Sequence, residues 1–297
     1  MHQPIRPDQG VLGAYYDLWF EKVRDRAQRV GYSPSDRYND AVKNRLLAEI
    51  ITPRLRSADA RWLDYGCGPA HLFKDLVETR GAWRVGMDIS SAIIAENRGR
   101  FDGESRTEFH TLDDGFLDQA DEGTFDCITC IEVLEHVYDL DATVGRLSRL
   151  LRPGGLLVIT TPNGRRVAPM LRRILPRAIA LYLEDRLEHR GIDELEDADV
   201  DLAAFQVKTH FHEVSTDELH DLLRRKGLRV VETSLLALKI MPNRTFNWLA
   251  RRLSGFVSAM EVLDRATRHW PVGVFKTSLL VTARRPATES QARTQEA

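Results

Sequence analysis

From residue 61 onward the chain alternates short, apolar, β-rich runs with stretches whose apolar residues recur every three or four positions. The strand candidates are RWLDYG (61–66), WRVGMDI (83–89), RTEFHTL (106–112), FDCITCI (125–131) and GLLVITTP (155–162). HLFKDLVET, SAIIAENRGR and LDATVGRLSRLL read as helices between them, the last ended by Pro153-Gly154-Gly155. Alternation at this spacing predicts a parallel sheet covered by helices on both faces, with ligands at the carboxyl ends of the strands. With 297 residues, 43% of them hydrophobic, the chain can bury a full core and is expected to form one domain with insertions.

The flanks depart from the alternation. Residues 1–58 read as a helical cap, carrying AYYDLWFEKVRDRA and YNDAVKNRLLAEII, and 59–163 as the core. Over 164–208 the basic amphipathic RRVAPMLRRILPRAIALYLEDRLEHR gives way to the acidic EDADVD, which predicts an inserted helical lid. The core resumes over 209–285 with STDELHDLLRRKG as helix and LRVVETSLL and KTSLLVTAR as strands. A second helical insertion falls at 243–268, and the polar tail 286–297 reads as disordered.

Charge and cysteines narrow the classes. A net charge of −2 gives no global electrostatic reason to expect nucleic acid. No signal-peptide core or bilayer-length apolar segment is present, so a cytoplasmic protein is expected. Cys127 and Cys130 have metal-site spacing, but in a strand residues three apart point to opposite faces, which predicts buried reduced thiols.

The first strand runs into LDYGCGPA (63–70), where Gly66 and Gly68 let the backbone turn tightly against a ligand. Asp64 sits on the strand end, and Asp88 ends the second strand about twenty residues on, where a ribose diol is gripped. No Gly-Lys-Ser/Thr follows, which argues against a phosphate-binding P-loop, and GCGPAH (66–71) lacks the third glycine of a nicotinamide-type fingerprint.

LDYGCGPA, GMDIS, FDCITCIEVLEHVYD and RLLRPGGLLVITTPN, in this order over residues 61–163, resemble the class I S-adenosylmethionine-dependent methyltransferase family, in its UbiG-like branch of ubiquinone-biosynthesis O-methyltransferases. Ala70 departs from the pattern at a position where many members carry glycine. The resemblance implies an α/β, doubly wound, Rossmann-like sheet of seven mostly parallel strands, the last antiparallel, with helical N-terminal and lid insertions. It implies S-adenosylmethionine as cofactor, with Asp64, Gly66, Cys67 and Gly68 facing its amino-acid portion and Asp88 its ribose hydroxyls. Ile89 would lie against the adenine and Asp113 near its amino group, Ile131 beside the sulfonium, and Arg45 would reach the carboxylate.

The run IEVLEH (131–136) leaves the fourth strand with two acids and a histidine. In a helix Glu132, Glu135 and His136 would share one face. The resemblance extends to RNA 2′-O-methyltransferases in which such a run and a distant histidine bind a metal, and His210 in KTHFHEVSTDEL stands at a matching offset. Three readings follow. Glu132, Glu135, His136 and His210 hold Mg²⁺, Mn²⁺ or Zn²⁺; or His136, alone or with His210, serves as a general base, with Glu135 as a second catalytic candidate; or the acids only favour a helix start and His136 packs in the cleft wall. The basic, apolar insertions fit a small-molecule or lipid-linked acceptor, with peripheral membrane contact as one use of them. The leading expectation is O-methylation of a small or lipophilic metabolite, against metal-dependent RNA methylation or a non-catalytic cofactor-binding relative.

Overall fold

The computed structural model describes residues 9–30, 32–163, 212, 214–238, 243–267 and 276–287. The lid expected over 164–208, His210 and most of the polar tail lie outside these residues.

Seven strands form one sheet: β1 (Arg61–Tyr65), β2 (Trp83–Asp88), β3 (Thr107–Thr111), β4 (Phe125–Ile131), β5 (Leu151–Pro162), β6 (Arg229–Leu238) and β7 (Lys276–Arg284). Their order is β3-β2-β1-β4-β5-β7-β6. The first five pair in parallel, and β7 runs antiparallel between β5 and β6. The chain winds outward from β1 through β2 to β3, then returns to lay β4 on the other side of β1. Connections therefore leave β1 and β4 in opposite directions, opening a crevice at their carboxyl ends, the usual place for a ligand in such a sheet.

Alternate residues of each strand feed two separate cores. On one face Trp62, Cys127 and Val158 pack with Leu47 of α2 (Pro34–Ile51), Phe73 of α3 (His71–Asp75) and Ile94 of α4 (Ser91–Arg100). On the other, Leu63, Ile128, Cys130 and Ile159 meet Val144 and Leu147 of α6 (Leu140–Leu150) and Leu219 of α7 (Thr216–Arg225). Cys127 and Cys130 thus face opposite layers as free, buried thiols, and burial raises both pKa values, Cys127 to about 12. Each large apolar side chain placed in these layers contributes on the order of 1.5–3 kcal/mol.

Two local expectations are corrected. Helix α6 ends at Leu150, and β5 begins at once because Leu151 pairs with Phe125. Pro153-Gly154-Gly155 therefore lies inside the strand, where the register shifts between Phe125 and Cys127 and Gly154 takes φ +80°. The segment after β4 is not an α-helix either. It is a single 3₁₀ turn, Leu134–His136, entered through Glu132 at φ +54°, so the two acids and the histidine do not share a helical face.

The insertion after β6 folds back on the body. Helices α8 (Asn243–Arg252) and α9 (Phe256–Ala266) lie against α2, with the Phe246 ring 5.2 Å from that of Tyr38 and Asn247 accepting from the Ser35 backbone N–H at 2.8 Å. The N-terminal helix α1 (Gln9–Val30) lies along α4. Between α4 and α6 a short helix, α5 (Phe116–Gln119), follows β3.

Gly86 in β2 tests the packing. A Cβ there would stand 2.7 Å from the Phe109 ring and 3.1 Å from the Cys67 sulfur. Gly86→Ala is expected to destabilise the fold by about 1–3 kcal/mol through overpacking, read as a lower urea midpoint with unchanged m-value.

Candidate functional site

The glycine loop after β1 is held from below by the end of β2. The Gly66 and Cys67 N–H groups both donate to the Met87 carbonyl at 2.8 Å, and the Gly68 N–H donates to Asp88 Oδ2 at 2.9 Å. Asp88 Oδ1 accepts the Ser90 N–H at 3.0 Å, so one carboxylate ties the loop to the turn that starts α4. Asn97 of α4 adds a 2.7 Å bond to the Gly68 carbonyl. The loop needs its glycines: Gly66 has φ +77°, and a Cβ on it would fall 2.2 Å from Val133. Ala70, in the place of the third glycine, is fully buried with φ +52° and accepts the left-handed conformation that glycine adopts freely.

In front of this loop lies a cavity of about 740 Å³, within the range of small-molecule and cofactor sites. It collects nine of the expected residues: Asp64, Gly66, Cys67, Gly68, Asp88 and Ile89 on one side, Ile131, Glu132 and His136 on the other. Leu112 joins Ile89 on the wall, while Asp113 is exposed and absent from the lining. Its neighbour Asp114 is engaged locally, bonded to His110 at 2.8 Å and to the Phe116 N–H of α5 at 2.9 Å. Tyr15, Tyr16, Trp19 and Phe20 of α1 close the cavity from above.

Helix α2 lends the cavity Asp40, Lys43, Asn44 and Leu47. Arg45 falls on another side of the helix and pairs with Glu261 of α9 at 2.7 Å. Lys43 was missed from the sequence. The signal was helical register: Asp40, Lys43 and Leu47 lie three and four apart, and Leu47 is a buried residue of that face.

Asp64 is buried and accepts from Thr129 Oγ1 at 2.6 Å, and the same hydroxyl accepts from the Trp62 indole at 2.8 Å. Burial lifts the Asp64 pKa to about 7, against the lowering effect of the Thr129 bond, and Asp88 lifts it further. Across the cavity Glu132 is held in its left-handed conformation by backbone bonds to Thr160, through the carbonyl at 2.9 Å and Oγ1 at 3.1 Å. Its Oε1 is buried with no hydrogen-bond partner. Glu135 points away from the cavity into the fold, 2% exposed, and accepts from Thr161 at 3.2 Å. Burial first, and the charge of Glu132 second, push its pKa well above the ordinary carboxylate range. His136 Nε2 stands 3.8 Å from Glu135 Oε1 on one side, and its ring meets the edge of Tyr16 at 5.9 Å on the other.

Among the described residues no group of three or more His, Cys, Asp or Glu side chains is arranged to hold a metal ion. Glu132, Glu135 and His136 therefore do not form a metal site by themselves. His212 donates its N–H to the Glu135 carbonyl at 3.3 Å, which brings the chain close behind this turn two residues after His210.

Fold and site together define an α/β protein with a cavity of cofactor size at the crevice of a seven-stranded sheet. The structure of the 4+2 cyclase SpnF superposes with TM-score 0.60 at 17% identity, covering 96% of this chain and 98% of that one. A sarcosine dimethylglycine methyltransferase from Galdieria sulphuraria gives 0.51 at 17% identity, covering 84% and 86%. Both likenesses establish the fold alone, since one such relative is a cyclase. A family model described as methyltransferase domain matches residues 35–233, more than half of the chain. The chain belongs to this family, the class I S-adenosylmethionine-dependent methyltransferases. The ubiquinone biosynthesis O-methyltransferase of Xanthomonas oryzae pv. oryzae is 30% identical over 148 residues, 47% of this chain. The match spans 62% of that relative's length.

The raised Glu135 has a testable sign. A buried acid with a raised folded pKa supports the fold fully below its unfolded pKa, and that support is lost as pH rises toward the folded value. Wild-type stability is expected to fall relative to Glu135→Gln between about pH 5 and pH 8, by up to about 1.4 kcal/mol per pH unit. Parallel stability-against-pH curves in urea for the two proteins would show that Glu135 titrates normally.

Proposed function

We propose that the chain transfers a methyl group from S-adenosylmethionine to an oxygen of a small or lipophilic metabolite in the cytoplasm. The observation that carries this reading is the convergence of the glycine loop, the Asp64 and Asp88 carboxylates and His136 on one cavity, with Glu135 behind the imidazole. These residues fit the cofactor. Asp88 presents a carboxylate for a diol, and Ile89 and Leu112 offer apolar walls for a flat base, while Asp113, exposed outside the lining, is not needed by this reading. Asp64 and Lys43 complement an ammonium and a carboxylate, the latter taking the role expected of Arg45. When bound, S-adenosylmethionine supplies an activated methyl on a positively charged sulfur.

The chain's own residues do the rest. Ile131 and the Gly66 backbone border the reacting volume, and the α1 aromatic residues exclude water from it. His136 is the general base. It takes the proton of the acceptor O–H, readying the oxygen for the methyl group that the bound cofactor would supply. Glu135, 3.8 Å from the imidazole, stabilises its charged form where the carboxyl is ionised, a range that burial moves to higher pH. In-line displacement at an activated methyl requires little more than alignment and one base.

One observation favours a second reading of the same turn. The buried, unpartnered Glu132 Oε1 next to a second acid is what a cation would relieve. A divalent metal held by Glu132, Glu135, His136 and His210 is the proposal that follows, and it depends on His210. The lipophilic acceptor draws support from α8 and α9. Trp248, Leu253 and Val262 are more than half exposed there, among Arg244, Arg251, Arg252 and Arg265. Such a surface suits an anionic membrane.

Calorimetry should show S-adenosylmethionine binding that weakens as pH falls below about 7, where Asp64 takes up a proton and loses its attraction for the ammonium. Asp64→Asn should flatten this dependence, and Lys43→Ala should weaken binding roughly tenfold. No binding at any pH would sink the reading. A radiolabelled transfer screen over catechols, free and in phosphatidylglycerol vesicles, and over RNA identifies the acceptor. His136→Ala should lose about 10²–10⁴-fold in rate. Full activity in chelator would remove the metal, and binding without transfer would leave a non-catalytic relative.

A further inference from the structure

Helix α1 lies outside the family match, yet it forms one wall of the cavity. It is fastened at a specific place. Asp17 Oδ1 accepts from the Ser90 hydroxyl and from the Ala92 N–H at 3.2 Å, and Oδ2 accepts from the Ser91 hydroxyl at 3.4 Å. One turn earlier Gly13 runs so close to the same loop that a Cβ would meet the Ile89 carbonyl at 3.2 Å. Two turns later Arg24 reaches Glu96 at 3.0 Å, an exposed pair. The helix is thus laid along the turn that begins with Asp88 and Ile89, the residues assigned to ribose and adenine.

Ser90 joins the two systems. Its N–H donates to Asp88 Oδ1, its hydroxyl caps α4 by accepting from Ile93 N–H, and the same hydroxyl donates to Asp17. On the cavity side of α1, Tyr16 leans on His136, and the Phe20 ring, edge to face with Trp19, stands 3.5 Å from where a Gly68 Cβ would lie. A ligand seated between Gly68, Asp88 and Ile89 is enclosed while α1 is docked.

We propose that Asp17 is a positioning residue that latches α1 over the bound cofactor, so that cofactor entry and product release require the Asp17–Ser90 contact to open. The proposal rests on the cofactor reading above. The latch acts through Ser90 on the residue that grips the ribose, which couples closure of the helix to occupancy of the loop. Two consequences distinguish it from a merely structural contact. Loosening Asp17 speeds release of the cofactor product more than it alters acceptor KM. It also frees α1 from the protection that an occupied site confers.

The experiment uses the full chain and S-adenosylhomocysteine. Release of radiolabelled ligand is followed by rapid filtration after an unlabelled chase, for wild type, Asp17→Asn, Asp17→Ala and Arg24→Ala. The Asp17 variants are expected to release ligand roughly tenfold faster or more. Arg24→Ala should stay within about twofold, because its ion pair is exposed. Hydrogen exchange over residues 9–30 should slow when ligand binds wild type and respond much less in Asp17→Asn. That substitution is nearly isosteric and keeps the proposal testable if Asp17→Ala does not fold. Unchanged release with unchanged protection in Asp17→Asn would overturn the latch. Absence of ligand binding to wild type would overturn the cofactor reading and the latch with it, whereas tight binding with unaltered release overturns the latch alone.

Discussion

The carboxylate of Asp88 is the joint on which the site depends. It accepts from Gly68 on one oxygen and from Ser90 on the other, fixing the glycine loop against the start of α4. Burial alone would raise its pKa, and the backbone N–H donors work against that by favouring the ionised form. The same atoms that order the loop therefore offset part of the cost of a charged acceptor at the crevice. With the Met87 carbonyl binding two further N–H groups, the loop's geometry is determined by β2 before any ligand arrives. Such preorganisation lowers the cost of ordering the site on binding.

A second, drier network backs the first. Trp62, Thr129 and Asp64 form a chain of hydrogen bonds from the core to the cavity floor, so β1 and β4 are tied at the level of the ligand. Across the crevice the backbone of Glu132 is bent into a conformation that a non-glycine residue adopts at a cost of order 1–3 kcal/mol. Its two bonds to Thr160 hold it there and leave its carboxylate beside the reacting volume. Strain of this kind persists where the surroundings over-determine it, and here the surroundings are the carboxyl ends of β4 and β5.

What the sequence made legible was what backbone geometry demands. LDYGCGPA and Asp88 could be placed because a tight turn needs glycine and a strand end exposes its last side chain, and the sheet followed from periodicity. The departures were local. Arg45 and Lys43 are two residues apart, yet on a helix that spacing separates the cavity face from the face that meets α9. IEVLEH reads equally well as a helix start, and only pairing of Glu132 with β5 turns it into a bend and a single 3₁₀ turn. Glu135 then faces inward and His136 outward, a division of labour invisible to spacing. Asp17 carried no signal at all, because its partners lie more than seventy positions away.

The division between the matched and unmatched parts of the chain bears on specificity. Residues 35–233 contain the glycine loop, Asp88, IEVLEH and nearly all of α2, the parts to which cofactor binding and proton transfer are assigned in the proposal. One wall of the same cavity is supplied by Tyr15, Tyr16, Trp19 and Phe20, on a helix the family model does not cover. A pocket's preference among acceptors follows its shape and the polar groups it leaves unpaired. The acceptor of a relative therefore transfers to this chain only as far as α1 has a counterpart there. On the proposed reading, the shared sheet sets the chemistry, and the helix laid across it bears on the choice of acceptor.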